Sequence, residues 1–299
     1  ASYYAIEVDN NSDISGGVTN SGTIYGTSYY SIWVNDTSDI SGGINNSGTI
    51  SNTGAYGVYV QNNSNISGGI TNIGTITTYY TGIVVKSSSD ISGGINNSGT
   101  IDGAQYSGVW ITDTSDVSGA FVNSGTIAGD SAGIYINDSS DVSGGLTNTG
   151  TISSTTYGIY MENNSGISGG LTNTGTIEGK GGTAISLNGL DATVPINLNG
   201  GRIIGDIIDD APANGFSVIT VGGDFTSESD YTVSDLTVSA GNNFTIGFGN
   251  TVTLNDMSPS AGTITFQVDT TGSFGDLVVT NGDVDLTGAT VAVGVVTGT

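Results

Sequence analysis

A segment of 19 residues recurs seven times in this chain, and this repeat constrains the fold more than any other feature. The copy from Ile32 to Ile50 reads Ile-Trp-Val-Asn-Asp-Thr-Ser-Asp-Ile-Ser-Gly-Gly-Ile-Asn-Asn-Ser-Gly-Thr-Ile. Only the joints between copies vary in length, so the period is 25 or 26 residues. The copies begin at Ile6, Ile32, Val58, Ile83, Val109, Ile134 and Ile159. A repeat of this length predicts one stack of like units rather than independent domains.

Within each copy, apolar residues alternate over short runs that are separated by Gly, Ser, Asn and Asp, a pattern typical of strands and tight turns. The apolar period of a helix is absent. Three short strands per copy would form one coil with three faces, and coils stacked about 4.8 Å apart would pair each strand with its equivalents above and below. We therefore predict an all-β fold, a right-handed parallel β-helix (β-solenoid) with coils of roughly 25 residues.

Stacking of like on like turns each repeated position into a column along the solenoid axis. The columns that contain Ile40 and Ile50 are predicted to face the interior. Asn46 occupies a position that is Asn in all seven copies, and stacked amides can hydrogen-bond along the axis. Gly48 is equally invariant, and we expect this column to supply a positive φ at a corner of the coil.

The composition excludes several kinds of partner. The chain has 27 acidic residues against three cations, a net charge of −24, so it repels nucleic acid and anionic membranes, whose binding needs clustered Lys and Arg. No apolar run reaches the roughly 18 residues of a membrane helix, so we expect no membrane insertion of this segment. Cysteine is absent, which suits a secreted protein of the bacterial cell surface, the extracellular location that we expect.

One outward column is rich in aromatic residues. In each copy the middle residue of the first apolar triplet should face solvent, because its two neighbours point inward. Further tyrosines precede the same strand. An aromatic stripe of several coils favours an interaction face for glycans or for a neighbouring copy, while cross-strand stacking that only stabilises the sheet explains it equally well. The residues predicted to bind are Trp33, Tyr59, Trp110, Tyr135 and Tyr160.

A second outward column is acidic, and carboxylates stacked at strand spacing repel one another unless they are exposed or bridged by cations. Calcium, which binds oxygen ligands, is therefore a candidate, and no other cofactor is expected. The Gly-rich nonapeptide of calcium-binding repeats is absent, so a solvated acidic face is the preferred interpretation. The candidate calcium ligands are Asp36, Asp39, Asp113, Asp116, Asp138 and Asp141.

The repeat weakens toward the C-terminus. Residues 1–204 carry the regular repeats, whereas residues 205–299 keep the apolar alternation but lose the Asn column. We predict that residues 205–299 continue the solenoid with irregular coils rather than forming a separate fold. The alternating runs in this part are Gly205-Asp-Ile-Ile-Asp, Phe216-Ser-Val-Ile-Thr-Val, Gly262-Thr-Ile-Thr-Phe-Gln-Val-Asp and Phe274-Gly-Asp-Leu-Val-Val-Thr.

These runs resemble the passenger region that precedes the translocating barrel of bacterial autotransporters. Leu286-Thr-Gly-Ala-Thr-Val-Ala-Val is similar to the segment that usually closes that region. The Asn-x-Gly-Thr-Ile copies, such as the one from Asn46 to Ile50, are also similar to autotransporter passenger repeats, so the resemblance covers nearly the whole chain. It implies a right-handed β-helix that is exported to the cell surface and is often adhesive.

The residue inventory argues against catalysis. The chain has no His, so it lacks a Ser-His-Asp nucleophile, an imidazole base and a His-ligated metal. Asp209-Asp210 is the best carboxylate pair for glycoside hydrolysis, but it lacks the basic neighbours of polysaccharide-cleaving β-helices. We predict that the protein is not an enzyme, and a polysaccharide-degrading β-helix is the least favoured interpretation.

Two non-catalytic functions remain. Residues 3–8 already form the third strand of a coil, and residues 291–295 still alternate, so neither end shows a polar or helical cap. Unpaired strand edges favour end-to-end stacking. We predict a homo-oligomer, a structural subunit that assembles head to tail into an extracellular fibre or matrix. The alternative is an autotransporter adhesin passenger that binds glycans or the surfaces of host or neighbouring cells.

Overall fold

The computed structural model describes residues 4–257, 261–269, 271–280, 284 and 286–296. Over these residues the chain is all-β and forms a β-solenoid of about 11 coils, which confirms the predicted fold class. The described part of the chain contains one short 3₁₀ helix, Pro212–Asn214, and no α-helix. Strands of successive coils pair in parallel, so equivalent residues of the repeat stack on one another.

Strands are numbered in chain order, and the first coils contribute three each, as predicted. The first 21 are β1 Tyr4–Val8, β2 Val18–Asn20, β3 Thr23–Gly26, β4 Tyr30–Val34, β5 Ile44–Asn46, β6 Thr49–Asn52, β7 Tyr56–Val60, β8 Ile70–Asn72, β9 Thr75–Thr78, β10 Ile83–Val85, β11 Ile95–Asn97, β12 Thr100–Gly103, β13 Ser107–Ile111, β14 Phe121–Asn123, β15 Thr126–Gly129, β16 Ala132–Ile136, β17 Leu146–Asn148, β18 Thr151–Ser154, β19 Tyr157–Glu162, β20 Leu171–Asn173 and β21 Thr176–Asn188. The others are β22 Val194–Leu198, β23 Arg202–Asp209, β24 Ser217–Val221, β25 Phe225–Ser227, β26 Tyr231–Val233, β27 Asp235–Val238, β28 Asn243–Ile246, β29 Thr251–Leu254, β30 Thr263–Asp269, β31 Asp276–Val279 and β32 Thr290–Val296.

Three ladders of stacked strands run along the regular coils. A sheet of ten described strands contains β2 and its equivalents and continues through β22, β24 and β27. A sheet of 18 described strands contains both the β3 ladder and the β4 ladder, which are joined because β21 runs unbroken through both positions. The strands β25, β28, β30 and β32 form a separate sheet.

The core is built from the two interior columns that the repeat predicts. Ile24 pairs with Ile50, and Ile50 pairs with Ile76 in the following coil. A line of isolated bridges connects Ile14 to Ile40 and continues coil by coil. From the second coil onward these side chains are fully buried, which contributes roughly 1.5–3 kcal/mol for each residue. The interior is therefore a continuous apolar column rather than a set of separate cores.

The Asn column forms a hydrogen-bonded ladder inside the solenoid, as predicted. Asn46 Nδ2 donates to Asn72 Oδ1 over 2.7 Å and also to two backbone carbonyl oxygens. The same three bonds recur in the following coils. Because these amides are buried, the ladder replaces the hydrogen bonds that they lose to water. The ladder ends at Asn173, whose partner in the next coil is Leu198.

A second buried ladder was not predicted, and it is formed by serines at another corner of the coil. The Ser38 N–H donates to Ser64 Oγ over 3.1 Å, and the Ser64 N–H donates to Ser89 Oγ over 3.1 Å. The two residues before each serine have positive φ, as at Asp36 (55°) and Thr37 (59°). Short polar side chains tolerate this left-handed conformation better than bulky ones. The corner is therefore polar for reasons of backbone geometry.

The prediction that Gly48 supplies a positive φ was wrong. The positive φ belongs instead to the second glycine of Ser-Gly-Gly, as at Gly43, where φ is 78°. A Cβ placed on Gly48 would lie 2.1 Å from the carbonyl oxygen of Gly22 in the preceding coil. The invariant column is therefore glycine because successive coils approach one another too closely there for any side chain.

The strands after β21 continue to stack in parallel, although their spacing along the chain is less regular. Strand β23 pairs with β26, β26 with β29, and β29 with β31. Larger side chains fill the interior in this part, and Tyr231 and Phe244 are fully buried. The hydroxyl of Tyr231 has no hydrogen-bond partner, so this ring contributes only apolar packing.

Candidate functional site

The outward column of aromatic residues lies in register on the outer face of the β4 ladder. Trp33 pairs with Tyr59 of the next coil, and Trp110 pairs with Tyr135. Val84 separates the two groups and is fully buried although it points away from the core. We call this set, which carries the predicted binding residues, the outer aromatic column: Trp33, Tyr59, Trp110, Tyr135 and Tyr160.

A second set of tyrosines covers the outer aromatic column. The ring centroid of Tyr30 lies 4.4 Å from that of Tyr59 and 5.5 Å from that of Trp33. As a result, Tyr59 and Tyr135 are only 7% and 8% exposed. The flanking tyrosines are Tyr4, Tyr30, Tyr56, Tyr106 and Tyr157. The two sets together form an apolar layer outside the sheet, and glycan binding by this layer stays a prediction.

One carboxylate holds the C-terminal end of the outer aromatic column. The hydroxyl groups of Tyr135 and Tyr160 donate to the two oxygens of Glu162, and their rings stack with centroids 5.0 Å apart. Burial, followed by the hydrogen bond to Glu162 and its negative charge, raises the pKa of Tyr160 to about 12. The same causes raise the pKa of Tyr135. Glu162 is thus the shared acceptor for two phenols that stay protonated at neutral pH.

The two indole groups of the outer aromatic column differ in their hydrogen bonding. Trp110 Nε1 donates to Asn137 Oδ1 over 2.8 Å. Trp33 Nε1 is buried and has no hydrogen-bond partner. Trp33 instead stacks on Tyr4, with ring centroids 4.6 Å apart, and on Tyr30. Packing alone therefore positions Trp33, whereas packing and a hydrogen bond position Trp110.

The acidic column binds successive coils to one another. The Asp39 N–H donates to Asp13 Oδ1 over 3.0 Å, and the Asp141 N–H donates to Asp116 Oδ1 over 2.8 Å. Burial is the main cause that raises the pKa of Asp116, and the charges of Asp90 and Asp141 add to it. Each of these carboxylates therefore accepts a backbone N–H of the neighbouring coil. The stacking of the coils explains this role without a metal ion.

The remaining candidate calcium ligands lie at the left-handed corner. Asp36, Asp113 and Asp138 have φ values of 55°, 56° and 55°. The carboxylate of Asp113 lies 3.4 Å from Lys86 Nζ, and that of Asp138 accepts a hydrogen bond from the Asn137 side chain. Within the described residues, no group of three or more His, Cys, Asp or Glu side chains is arranged to hold a metal ion. The carboxylates of Asp113 and Asp138 also accept hydrogen bonds from the hydroxyl of Thr112, so ammonium, amide and hydroxyl groups are their partners.

The carboxylate pair Asp209-Asp210 is divided between two environments. Asp209 is only 4% exposed, and its side chain accepts hydrogen bonds from the hydroxyl groups of Ser217 and Ser234. Asp210 Oδ1 accepts the backbone N–H of Gly189 over 2.9 Å. The two acids therefore serve separate structural hydrogen bonds, and Asp209 is closed to solvent.

A different surface carries well-exposed tyrosines, and it lies in the joints between copies. Tyr25 and Tyr79 are 52% and 46% exposed, and they border a groove of about 390 Å³ that spans three coils. The floor of the groove includes Ser51 and Thr77, which follow Tyr25 in the same column. We call this surface the tyrosine groove and define it by Tyr25, Ser51, Asn52, Thr53, Thr77 and Tyr79.

Beneath the tyrosine groove, Asn52 carries an unsatisfied donor on the inner side of its strand. Its side chain is 2% exposed, and its Oδ1 accepts the backbone N–H groups of Gly54 and Ala55 over 2.7 and 2.8 Å. Its Nδ2 is buried and has no hydrogen-bond partner. The equivalent residues of the adjoining coils are Gly26 and Thr78, so no neighbouring amide can extend a ladder here. A buried donor without a partner costs on the order of 1–3 kcal/mol.

Sequence reasoning singled out the outer aromatic column and missed the tyrosine groove. The signal that could have found it is the composition of the joints, because stacking of the repeat does not require Tyr25 or Tyr79. The groove also continues into the flanking tyrosines. Tyr79 contacts Tyr80 with ring centroids 4.8 Å apart, and Tyr80 lies 5.9 Å from Tyr56.

Comparison with known proteins identified no relative of this chain. Among the described residues, no helix is long and apolar enough to cross a membrane. No family model, no curated protein and no solved structure matches the chain.

Proposed function

We propose that this chain is a non-catalytic structural subunit of the bacterial cell surface, and that copies of it stack end to end into an extracellular fibre. Its polar columns support a structural role. The Asn, Ser and Asp side chains of the repeat are used in bonds between coils. The only adjacent carboxylate pair considered for catalysis includes a buried member, Asp209.

One observation carries the end-to-end stacking. Strand β32 pairs with β30, so that Val291, Val293 and Val295 lie in register with Ile264, Phe266 and Val268. Ile264 is buried in the core, but the three valines of the same face are 53%, 69% and 69% exposed. The side chains of β32 that continue an interior column are therefore exposed to solvent. An exposed apolar patch of this kind is a site for association.

Strand edges and charge both favour stacking along the axis over lateral contact. Among the described residues β32 pairs only with β30, and β31 pairs only with β29, and in the proposed fibre a second copy adds a parallel strand to each. The sides of the solenoid carry most of a net charge of −24, which opposes side-by-side approach. Salt should therefore speed assembly by screening the repulsion between approaching subunits.

Sedimentation velocity and negative-stain microscopy of the 299-residue chain test this proposal. At physiological salt, with and without calcium, we expect unbranched fibres one solenoid wide. Val293→Asp should prevent fibre formation, because it places a charge within an apolar contact that excludes water.

Ile208→Asp is the matched control, since Ile208 is an exposed apolar residue (38%) in β23, a strand that already pairs with β21 and β26 on its two sides. This variant should assemble as the unaltered chain does. A monodisperse monomer under all of these conditions would refute the proposal, and so would fibres of Val293→Asp equal to those of the unaltered chain.

A further inference from the structure

We infer that the tyrosine groove is a binding site for a neutral oligosaccharide. This inference is independent of fibre formation, because the groove lies on the side of the first coils rather than at β32. Its two borders are aromatic rings and its floor carries hydroxyl groups. Carbohydrates present the same combination, with apolar C–H faces on their rings and hydroxyl groups along their edges.

The spacing of the two rings suits an extended ligand. Tyr25 and Tyr79 belong to coils two apart, a separation of about 10 Å along the axis at the usual strand spacing. Between them the column that begins with Tyr25 continues with Ser51 and Thr77, which are small, so the surface dips between the rings. The hydroxyl of Tyr25 lies 3.3 Å from Thr53 Oγ1, which restricts this ring at one border. A chain of several sugar rings can contact both tyrosines at once, whereas a single sugar cannot.

The polar floor supplies hydrogen-bonding groups of the right kind. Ser51, Thr53 and Thr77 each carry a hydroxyl that can donate and accept. Asn52 lines the same groove, and its Nδ2 is buried without an acceptor. This amide faces the inner side of the strand, where a Cβ on Gly26 would lie 2.4 Å from Nδ2, so a bound sugar would meet the hydroxyl groups of the floor rather than this amide.

Charge selects a neutral ligand over an anionic one. None of the residues that define the tyrosine groove is charged. The next residue of the column after Thr77 is Asp102, and the chain as a whole carries a net charge of −24. Uronic acids, sialic acids, phosphate groups and sulfate groups would therefore meet repulsion without a cation to compensate it.

Isothermal titration calorimetry with maltohexaose, cellohexaose and chitohexaose tests the inference on the whole chain. We expect saturable binding of at least one of these neutral hexasaccharides and weaker binding of an oligogalacturonate of equal length. Tyr25→Ala and Tyr79→Ala should each weaken the binding about tenfold, since each removes one stacking ring. Ser51→Tyr should abolish it by filling the floor of the groove.

Tyr29→Ala is the matched control, because Tyr29 is 53% exposed in the same joint but does not line the groove. This variant should bind as the unaltered chain does. Lack of saturable binding to all three hexasaccharides would overturn the inference, as would binding that Tyr25→Ala and Tyr79→Ala leave unchanged. Circular dichroism is to verify that each variant is folded, and fibre formation by Tyr25→Ala keeps this outcome separate from that of the proposed function.

Discussion

At the scale of single residues, Glu162 shows how the outer aromatic column is held in place. Its two oxygens accept the hydroxyl groups of Tyr135 and Tyr160, which belong to adjacent coils. A charged acceptor strengthens both hydrogen bonds, and burial keeps the phenols protonated. The carboxylate therefore joins two coils on the outer face, where the core columns cannot reach.

This arrangement predicts a specific loss of stability in alkali. The folded chain raises the pKa of Tyr160 to about 12, whereas an unfolded tyrosine titrates near 10. The folded state thus holds this proton more tightly, so its contribution is complete below about pH 10 and is lost as the pH rises to about 12. In Glu162→Gln, Tyr160 should titrate at lower pH and the alkaline loss should be smaller.

Ultraviolet titration measures the ionisation of the tyrosines, and comparison with Tyr160→Phe identifies the part that belongs to Tyr160. Urea unfolding across the same pH range measures the stability. Glu178→Gln is the control, because Glu178 lies in the next coil, opposite Ser153, and takes no part in the hydrogen bonds that join Glu162 to Tyr135 and Tyr160. An unchanged titration of Tyr160 in Glu162→Gln would contradict the assignment of Glu162 as the shared acceptor.

At the scale of the repeated element, the spacing between coils depends on glycine at one position. The column of Gly48 leaves no room for a Cβ, because the carbonyl oxygen of the preceding coil lies too close. The same short approach recurs at Gly74, where a Cβ would lie 2.1 Å from the Gly48 oxygen. Only the first member, Gly22, has open space around it.

We therefore expect Gly74→Ala to destabilise the solenoid and Gly22→Ala to leave its stability nearly unchanged. The first substitution forces two coils apart and strains their ladder hydrogen bonds, at a cost of roughly 1–3 kcal/mol in the free energy of unfolding. Urea unfolding followed by circular dichroism measures the difference. Equal stability of the two variants would show that the column is glycine for a reason other than close approach.

Much of the element was predictable from the sequence, because like-on-like stacking converts a repeated position directly into a spatial column. The Ile columns and the Asn ladder follow from identity alone. The burial of Tyr59 was not predictable, since it depends on the Tyr30 ring of the preceding coil leaning over it. The tyrosine groove was also missed, because it arises where Ser51 follows Tyr25 in a joint whose register the repeat does not define.

At the scale of the whole molecule, charge is the dominant electrostatic feature. The net charge is −24, and among the described residues only Lys86 and Arg202 form ion pairs with carboxylates. Burial raises the pKa of Asp102, Asp116 and Asp206, so the folded state prefers these side chains protonated. Like charges spaced along a rigid rod also repel one another in the folded state more than in an extended coil.

The sign of the resulting pH dependence follows from these raised pKa values. At these three positions the folded chain binds protons more tightly than the unfolded chain, so their contribution to stability should increase as the pH falls from 7 toward about 4, the unfolded value for Asp. Asp269, whose pKa is lowered mainly by the hydrogen bond from Thr271, acts in the opposite direction. Asp102→Asn, Asp116→Asn and Asp206→Asn combined should make the chain more stable at pH 7 and flatten this dependence. Asn keeps the oxygen that accepts the backbone N–H at Asp116 and Asp206.

Thermal unfolding at pH 7 and at about pH 5, each at low and high salt, measures this prediction. Salt should raise the stability more at pH 7, where the repulsion is greater. A chain that is less stable at pH 5 than at pH 7 would contradict it, because the three half-buried carboxylates would then have to be stabilised in their charged form.

The residue-for-residue register of the coils also has a genetic consequence. Loss or duplication of a DNA segment that encodes one whole repeat would bring Asn46 onto another Asn and Ile50 onto another Ile, and every ladder would close again. A deletion of a few residues within the 19-residue segment would instead place polar residues in the apolar columns or break the Asn ladder. Recombination between the near-identical repeats can therefore lengthen or shorten this protein in steps of one coil while the fold is retained.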